Sequence, residues 1–320
     1  MRGITKDFAD AFKVSKLYNL YENHKDELFI GIRNNYLNLY YNCDSIADIH
    51  YNQKDGSICC KINKYYLSDN RKEKPFIIAI DPSEICERYE EIKKNSDAKT
   101  NTSEKKAQSK LVLLNNRNDK SNWFCIDVEY VKQFNNIEEK NNAKFNCRFD
   151  IIAVSKEKPH RVALIELKYG SSAMDGKSGI YKHIEDFNSF CEKRYFENHL
   201  KYEIITIIKS QKELGISIPF ELPEESDLLS PKFYFITLDN NAKNEKSSTP
   251  KQTMAAYLFN DIRWGCKRQS NRSVVESKFG DVTDKNNKFH ATFLFSKATI
   301  DNLEIADIID GDYDDKIIPQ

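Results

Sequence analysis

Two acidic residues and a lysine interrupt apolar runs in the middle of the chain. Asp150 stands inside the run 149–152, and Glu166 and Lys168 follow the run 162–165. Charged groups in apolar strands need partners, because removing them from water alone is costly. Side chains alternate along a strand, so Glu166 and Lys168 share one face. If the two runs pair as a hairpin, Asp150 and Glu166 converge on one face.

Two carboxylates and one ammonium group are what metal-assisted hydrolysis of a phosphodiester requires. Hard oxygen ligands bind Mg²⁺, which engages phosphate oxygens and lowers the pKa of a bound water. A nearby lysine positions that water or neutralises charge on the phosphate. The alternative is an ordinary ion pair between Glu166 and Lys168 on a half-exposed strand. Asp150 in the preceding apolar run disfavours that alternative.

Three apolar runs and a helix must position these groups. The predicted strands cover 123–130, 149–154 and 161–168. The stretch 156–160 between the last two has a length suited to a hairpin loop. A helix is predicted from about Ser178, because apolar residues then recur at the helical period. A glycine-containing loop, 170–178, precedes it, but its spacing departs from the phosphate-binding loop of nucleotide-binding proteins, which disfavours an NTP-using enzyme.

The remaining pattern predicts two regions of different texture. Further helices are predicted over 5–21, from Asp81-Pro82, and over 104–114, 197–213 and 253–264. Further strands are predicted over 28–33, 36–41, 58–62, 231–238 and 291–295, and a polar, Lys-rich linker over 93–110. The predicted fold class is α/β (α+β), with a mixed central β-sheet flanked by helices. We divide the chain into an N-terminal antiparallel β-rich region, 1–95, for recognition or interaction, and a domain over 96–320.

The segment Phe149-Asp150, followed by Ile165-Glu166-Leu167-Lys168, resembles the PD-(D/E)XK nuclease superfamily, which has a restriction-endonuclease-like core. That superfamily places an acid in one core strand and (D/E)xK at the end of the next, followed by a helix. The resemblance covers about 100–210, and Phe149 replaces the usual proline. It implies a Mg²⁺-dependent deoxyribonuclease, with Mn²⁺ as a substitute. Endonuclease and exonuclease action both stay open, as do roles in restriction, defence or repair.

The resemblance also implies roles for individual residues. Asp150 and Glu166 would bind the metal, the Leu167 carbonyl would be a further ligand, and Lys168 would be the catalytic lysine. The family often adds an upstream glutamate, for which Glu129 is preferred and Glu104 in the preceding helix is the rival. Four residues at the start of the following helix are predicted to contact the DNA backbone: Lys177, Ser178, Lys182 and His183.

Composition limits the class of protein. The chain of 320 residues has 49 basic and 49 acidic residues, which excludes a uniformly basic nucleic-acid binder. A local basic stretch is still expected, because residues 93–120 hold 8 − 3 = +5 charges, while the acidic, mobile tail 301–320 holds 1 − 7 = −6. The chain lacks an apolar run of 18 residues and a secretory signal, which favours a cytoplasmic protein without a membrane partner.

Two classes of function stay open at this stage. The first is the nuclease, with DNA as partner, and cleavage of both strands would favour a homodimer. The second is a non-cleaving nucleic-acid-binding or protein-interaction module on the same fold. Retention of Asp150, Glu166 and Lys168 argues for the nuclease, because a site without function has no reason to keep buried charges.

Overall fold

The structure, a computed structural model, has two β-sheets and helices packed against them, and the fold is therefore α+β. It describes residues 2–67, 77–99, 103–132, 148–170, 180–239, 291–305 and 307–317. The predicted helix over 253–264 lies outside these residues. Within them, no helix is long and apolar enough to cross a membrane.

The chain begins with two short helices, α1 (Lys6–Lys13) and α2 (Lys16–Asn23), where one helix over 5–21 was predicted. Ser15 separates them because its hydroxyl accepts a hydrogen bond from the Tyr18 N–H at 3.3 Å and caps α2. The single-helix prediction was wrong because it did not include this cap.

The first sheet is antiparallel throughout, as predicted, with its five strands in chain order. The strands are β1 (Leu28–Ile32), β2 (Tyr36–Tyr41), β3 (Asp44–Asn52), β4 (Ser57–Asn63) and β5 (Ile77–Ile80). Asn35 adopts a positive φ of 57° in the β1–β2 turn, which accounts for the predicted hairpin. The prediction did not include β3, in which Asp44, Asp48 and His50 interrupt the apolar pattern.

Three helices connect the sheets: α3 (Pro82–Glu87), α4 (Tyr89–Lys99) and α5 (Ser103–Arg117). The predicted start of α3 is confirmed, because Asp81 accepts a hydrogen bond from the Ser83 N–H at 2.8 Å. The prediction of a linker beginning at residue 93 was wrong, because α4 extends to Lys99. Polar residues of α4 pack inward, and buried Asn95 donates to the Tyr66 carbonyl at 2.9 Å.

The second sheet is mixed, as predicted, with the order β11-β10-β9-β8-β7-β6. Its strands are β6 (Trp123–Val131), β7 (Arg148–Ser155), β8 (Val162–Tyr169), β9 (Lys232–Leu238), β10 (Ala291–Phe295) and β11 (Asp315–Ile317). Strands β6, β7 and β8 form an antiparallel meander, and β9 lies parallel to both β8 and β10. The predicted β7–β8 hairpin is confirmed, and β8 is the buried central strand that its apolar run indicated.

Helices cover both faces of this sheet. Helices α6 (Ile180–Glu192) and α7 (Lys201–Glu213) pack on the face that carries Ile152 and Leu164. Helix α5 packs on the opposite face, against Ile151 and Ile165. The predicted helix over 197–213 is confirmed, although its first turn, Phe196–Leu200, is π-helical.

The N-terminal region shares a buried cluster with the α6–α7 face of the second sheet. The predicted boundary at residue 95 falls inside α4, and the division into two domains stays a prediction.

The acidic end of the chain is bound to the second sheet, so the prediction of a mobile tail was wrong for residues 307–317. Asp310 accepts hydrogen bonds from Trp123 Nε1 and Arg161 Nη2, both at 2.9 Å. Asp307 accepts from the Asn122 N–H at 2.7 Å. The carboxylates of this segment therefore act as hydrogen-bond acceptors for neighbouring donors.

Candidate active site

The backbone pairing of β7 and β8 ends where the predicted acids lie. Ile151 pairs with Ile165, and the next residue outward on each strand, Asp150 and Glu166, follows in the same register. The Leu167 N–H donates to Oδ2 of Asp150 at 2.8 Å. A carboxylate thus replaces the carbonyl partner of the ladder, and the structure brings Asp150 and Glu166 together as predicted.

Glu166 is buried, and two nitrogen donors approach the same oxygen of its carboxylate. Lys168 Nζ lies 2.6 Å from Oε1, and His183 Nε2 lies 2.9 Å from it. Burial alone would raise the pKa of Glu166, but the His183 hydrogen bond and the Lys168 charge together lower it. Burial alone would lower the pKa of Lys168, but the neighbouring carboxylates raise it, and of these Glu166 contributes most. Glu166 is therefore ionised and Lys168 protonated at neutral pH.

Asp150 has the opposite electrostatic environment. Burial, and next the negative charge of Glu166, raise the pKa of Asp150 well above its ordinary value. Lys168 and the Leu167 N–H oppose this rise without cancelling it. The pKa values of the two acids are therefore shifted in opposite directions, because Lys168 and His183 stabilise the charge of Glu166 more than the neighbours of Asp150 stabilise its charge.

Both candidates for the upstream acid lie at this site. Glu104, in the first turn of α5, accepts from the Tyr169 N–H at 3.3 Å. Oε1 of Glu129, on β6, lies 3.8 Å from Lys105 Nζ. Burial is the largest cause that raises the pKa of each, and the charge of Glu166 raises both further. The four acids, which we call the acid cluster, are Glu104, Glu129, Asp150 and Glu166.

The side chains of β6 and β7 switch to the other face of the sheet at the level of the acid cluster. Val128 and Ile151 pack towards α5, whereas Tyr130 and Phe149 pack towards α6 and α7. Glu129, between Val128 and Tyr130, has a φ of 51°, in the left-handed region. Strict alternation along β6 and β7 therefore fails at this level, which the sequence pattern did not indicate.

Sequence reasoning missed two residues of α5. Gln108 Nε2 donates to the Asp150 carbonyl at 2.6 Å, and Lys105 Nζ donates to the Cys43 carbonyl at 3.2 Å. Glu104 and Gln108 are four residues apart, so they lie on one face of the helix. That spacing, directly before the predicted strands, is the signal that would have found Gln108.

The predicted DNA contacts fall largely outside what can be described. Lys177 and Ser178 lie outside the described residues, as does the side chain of Lys182. His183 belongs to the site through its contact with Glu166, and its predicted contact with DNA stays a prediction.

The basic stretch 93–120 provides less free positive charge than its composition suggested. Lys93 pairs with Glu27 at 2.8 Å and Lys106 with Asp97 at 2.9 Å. Lys105 approaches Glu129. Asp97 is already counted in the net charge of the stretch, so the further reduction comes from Glu27 and Glu129, two carboxylates outside it.

A cavity of about 390 Å³ adjoins the acid cluster on the side of the first sheet. Residues of β3 and β4, together with Lys105 and Glu129, line it. The first sheet therefore forms one wall of the approach to Glu129.

The donors at the end of β7 and β8 suit a hard divalent cation. Asp150 and Glu166 offer carboxylate oxygens, and Leu167 offers a carbonyl, which together are ligands that Mg²⁺ accepts when water completes its shell. In the described part of the chain, no group of three or more His, Cys, Asp or Glu side chains is arranged to hold a metal ion. A cation here would thus depend on two carboxylates and a backbone oxygen.

Comparison of the chain with protein-family models, curated proteins and solved structures gave no significant match.

Proposed function

We propose that this chain is a metal-dependent nuclease of the PD-(D/E)XK type that hydrolyses DNA phosphodiester bonds. One observation carries the proposal: Asp150 and Glu166 lie next to each other where the pairing of β7 and β8 ends, and Lys168 donates a hydrogen bond to Glu166. The acid in one strand, the ExK at the end of the next and the helix α6 that follows are the arrangement that the resemblance implies. The restriction-endonuclease-like core is part of the same proposal.

Asp150, Glu166 and the Leu167 carbonyl would hold Mg²⁺, or Mn²⁺ in its place. The donor set fits, because all three are oxygens and the Leu167 N–H already fixes the Asp150 carboxylate at 2.8 Å. When bound, the metal supplies positive charge that stabilises the phosphate oxygens and acidifies a water.

The other side chains have roles that follow from their charge. Lys168 carries a raised pKa, so it is a cation that stabilises charge on the phosphate or orients the water, and not a proton acceptor. His183 holds Glu166 in place and keeps it ionised. Glu104 supports the positive charge of Lys168, because its carboxylate raises the Lys168 pKa.

A cleavage assay with a matched control tests this function. We expect the purified chain to cut DNA in Mg²⁺ and to stop in EDTA. Lys168→Met should lower the rate by about 10²–10³-fold, the usual loss for a group that stabilises transition-state charge. Lys209→Met, at a lysine that is 61% exposed on α7, should retain the wild-type rate. Equal rates in both variants would overturn the role of Lys168.

One observation favours a second candidate, a non-cleaving nucleic-acid-binding or protein-interaction module on the same fold. Lys168 and His183 both bond to Oε1 of Glu166, so the chain itself already neutralises this acid. Calorimetric titration with Mg²⁺ separates the two. Heat that Asp150→Ala abolishes supports the nuclease, whereas its absence in the wild type supports the module.

A further inference from the structure

The left-handed residue Glu129 stands at a costly point of β6. Its φ is 51°, and a residue other than glycine keeps such a conformation only where its surroundings impose it. The same residue carries the carboxylate that joins the acid cluster from β6. The groups that hold this backbone turn therefore decide where the Glu129 carboxylate lies.

Two buried arginines of the N-terminal region hold the turn from both sides. Arg33 Nη2 donates to the Val128 carbonyl at 3.0 Å, and Arg2 Nη2 donates to the Val131 carbonyl at 2.9 Å. Asp127 binds both guanidinium groups, one at each carboxylate oxygen and each at 2.8 Å. We call Arg2, Arg33 and Asp127 the arginine clamp.

Residues of the first sheet hold Arg33 in place. Its Nε donates to Asn38 Oδ1 and its Nη2 to the Tyr40 hydroxyl, both at 2.7 Å. Gly31 makes room for it, since a Cβ at that position would lie 2.7 Å from Arg33 Nη2. Position 31 therefore admits only glycine without moving the guanidinium group.

We propose that Arg2 and Arg33 are positioning residues that set Glu129 within the acid cluster, so that the N-terminal region is a working part of the site. The proposal rests on the nuclease function. Both arginines act through the backbone, because Arg33 reaches the carbonyl of Val128, directly before Glu129, and Arg2 reaches that of Val131, two residues after it. The distances show why lysine is a poor replacement: one ammonium group cannot bond Asp127, Val128 and Tyr40 with the geometry of a guanidinium fork.

A double-mutant cycle tests the positioning role in the full-length chain. Arg33→Lys should lower kcat/KM for DNA cleavage by about 10–100-fold and raise the Mg²⁺ concentration for half-maximal rate. Glu129→Gln should produce a loss of similar size. In the Glu129→Gln background, Arg33→Lys should change kcat/KM by less than about twofold, because the two residues act as one unit. Losses that multiply in the double mutant would overturn the proposal.

Tyr130→Phe is the matched control. Its hydroxyl donates to Glu203 at 2.7 Å in the same buried network, whereas the arginines are the donors to Asp127 and to the Val128 and Val131 carbonyls. Loss of this hydroxyl should lower thermal stability and leave the Mg²⁺ dependence of cleavage unchanged. A matching shift in Mg²⁺ dependence would show that general loosening, and not positioning, causes the effect of Arg33→Lys.

Gly31→Ala provides a second variant if Arg33→Lys does not fold. It keeps every charge of the arginine clamp and displaces the Arg33 guanidinium together with the ring of Tyr40, whose hydroxyl accepts from Arg33. The same loss and the same absence of effect in the Glu129→Gln background are therefore expected. Failure of the proposed function is distinguishable: a wild-type chain without Mg²⁺-dependent cleavage or Mg²⁺ binding overturns both. An active wild type with independent losses overturns the positioning role alone.

Discussion

Glu129 and Asp150 stand opposite each other on neighbouring strands, at the point where each strand turns its side chains to the other face of the sheet. The pairs on either side are Val128 with Ile151 and Tyr130 with Phe149. Both carboxyl groups have raised pKa values, with burial as the largest cause. Two acids thus share an interrupted part of the sheet near the Glu166 and Lys168 pair, where a divalent cation would relieve their repulsion.

Asp150 should make the metal-free protein less stable as pH rises. Burial and Glu166 raise the pKa of Asp150 above its ordinary value of 3.8, so the folded chain retains a proton that the unfolded chain has released. Stability therefore falls above about pH 4, the pKa of an unfolded aspartate. In thermal melts at pH 8 without metal, Asp150→Asn should have a higher Tm than the wild type, and at pH 3.5 the difference should be small.

Asp119→Asn, at an exposed acid after α5, is the control and should change Tm little at either pH. Added Mg²⁺ should raise the Tm of the wild type and of this control, but not of Asp150→Asn, because a ligand stabilises only the fold that binds it. A lower Tm for Asp150→Asn at pH 8 would show that ionised Asp150 stabilises the fold instead.

His183→Ala should move the acidic limb of the pH–rate profile to higher pH. The His183 hydrogen bond helps to lower the pKa of Glu166 against burial, so its removal raises that pKa. A protonated Glu166 binds metal poorly, and the rate should therefore fall more at pH 6 than at pH 8. Cys191→Ser, at an exposed cysteine of the same helix, should leave the profile in place. A uniform loss at all pH values would contradict this role.

Glu104→Gln should change the alkaline limb of the pH–rate profile of cleavage. Glu104 is among the carboxylates that raise the pKa of Lys168, second only to Glu166, against the effect of burial. Without it the Lys168 pKa falls, so the ammonium form is lost at lower pH and the alkaline decline begins earlier. Rates of Glu104→Gln and Glu129→Gln across pH 6 to 10 distinguish the two upstream acids. An unshifted alkaline limb in Glu104→Gln would show that Lys168 does not depend on it.

Removal of Asp127 should be costly for the fold. Its carboxylate is the hydrogen-bonded counter-ion of both buried arginines, which are 8% and 6% exposed. Asp127→Ala would remove it from both guanidinium groups and leave Arg2 with the more distant Glu203 carboxylate, 3.9 Å from its Nε. Breaking a buried pair in this way typically costs about 3–5 kcal/mol. Chemical denaturation should report a loss of that order, and a loss below about 1 kcal/mol would show that water replaces the carboxylate.

Sequence patterns predicted the parts of this molecule that depend on local periodicity. The strands β6, β7 and β8 and the helices α5, α6 and α7 follow from apolar runs, and the adjacency of Asp150 and Glu166 follows from the hairpin between them. The arginine clamp was not predictable, because Arg2 and Asp127 are far apart in the chain and only the packing of the two sheets joins them. The left-handed Glu129 was equally hidden, since neither glycine nor asparagine marks it.

The same limit applies to charge. Net charge over residues 93–120 indicated a basic surface, but Glu27 and Glu129, which lie outside this segment, approach its lysines only in the folded chain. The acids of residues 307–317 likewise accept hydrogen bonds from donors near β6 and β8. Counting charges along a segment cannot anticipate pairing across the fold.

The most direct test of the central claim is the rate of plasmid DNA cleavage measured across a Mg²⁺ titration, for the wild type and Glu166→Gln side by side. Glu157→Gln, at an exposed acid in the β7–β8 loop, is the control. We predict a saturable, Mg²⁺-dependent rate for the wild type and Glu157→Gln, and a loss of about 10²-fold or more in Glu166→Gln at every Mg²⁺ concentration. Cleavage by Glu166→Gln at the wild-type rate, or no cleavage by the wild type, would contradict the assignment.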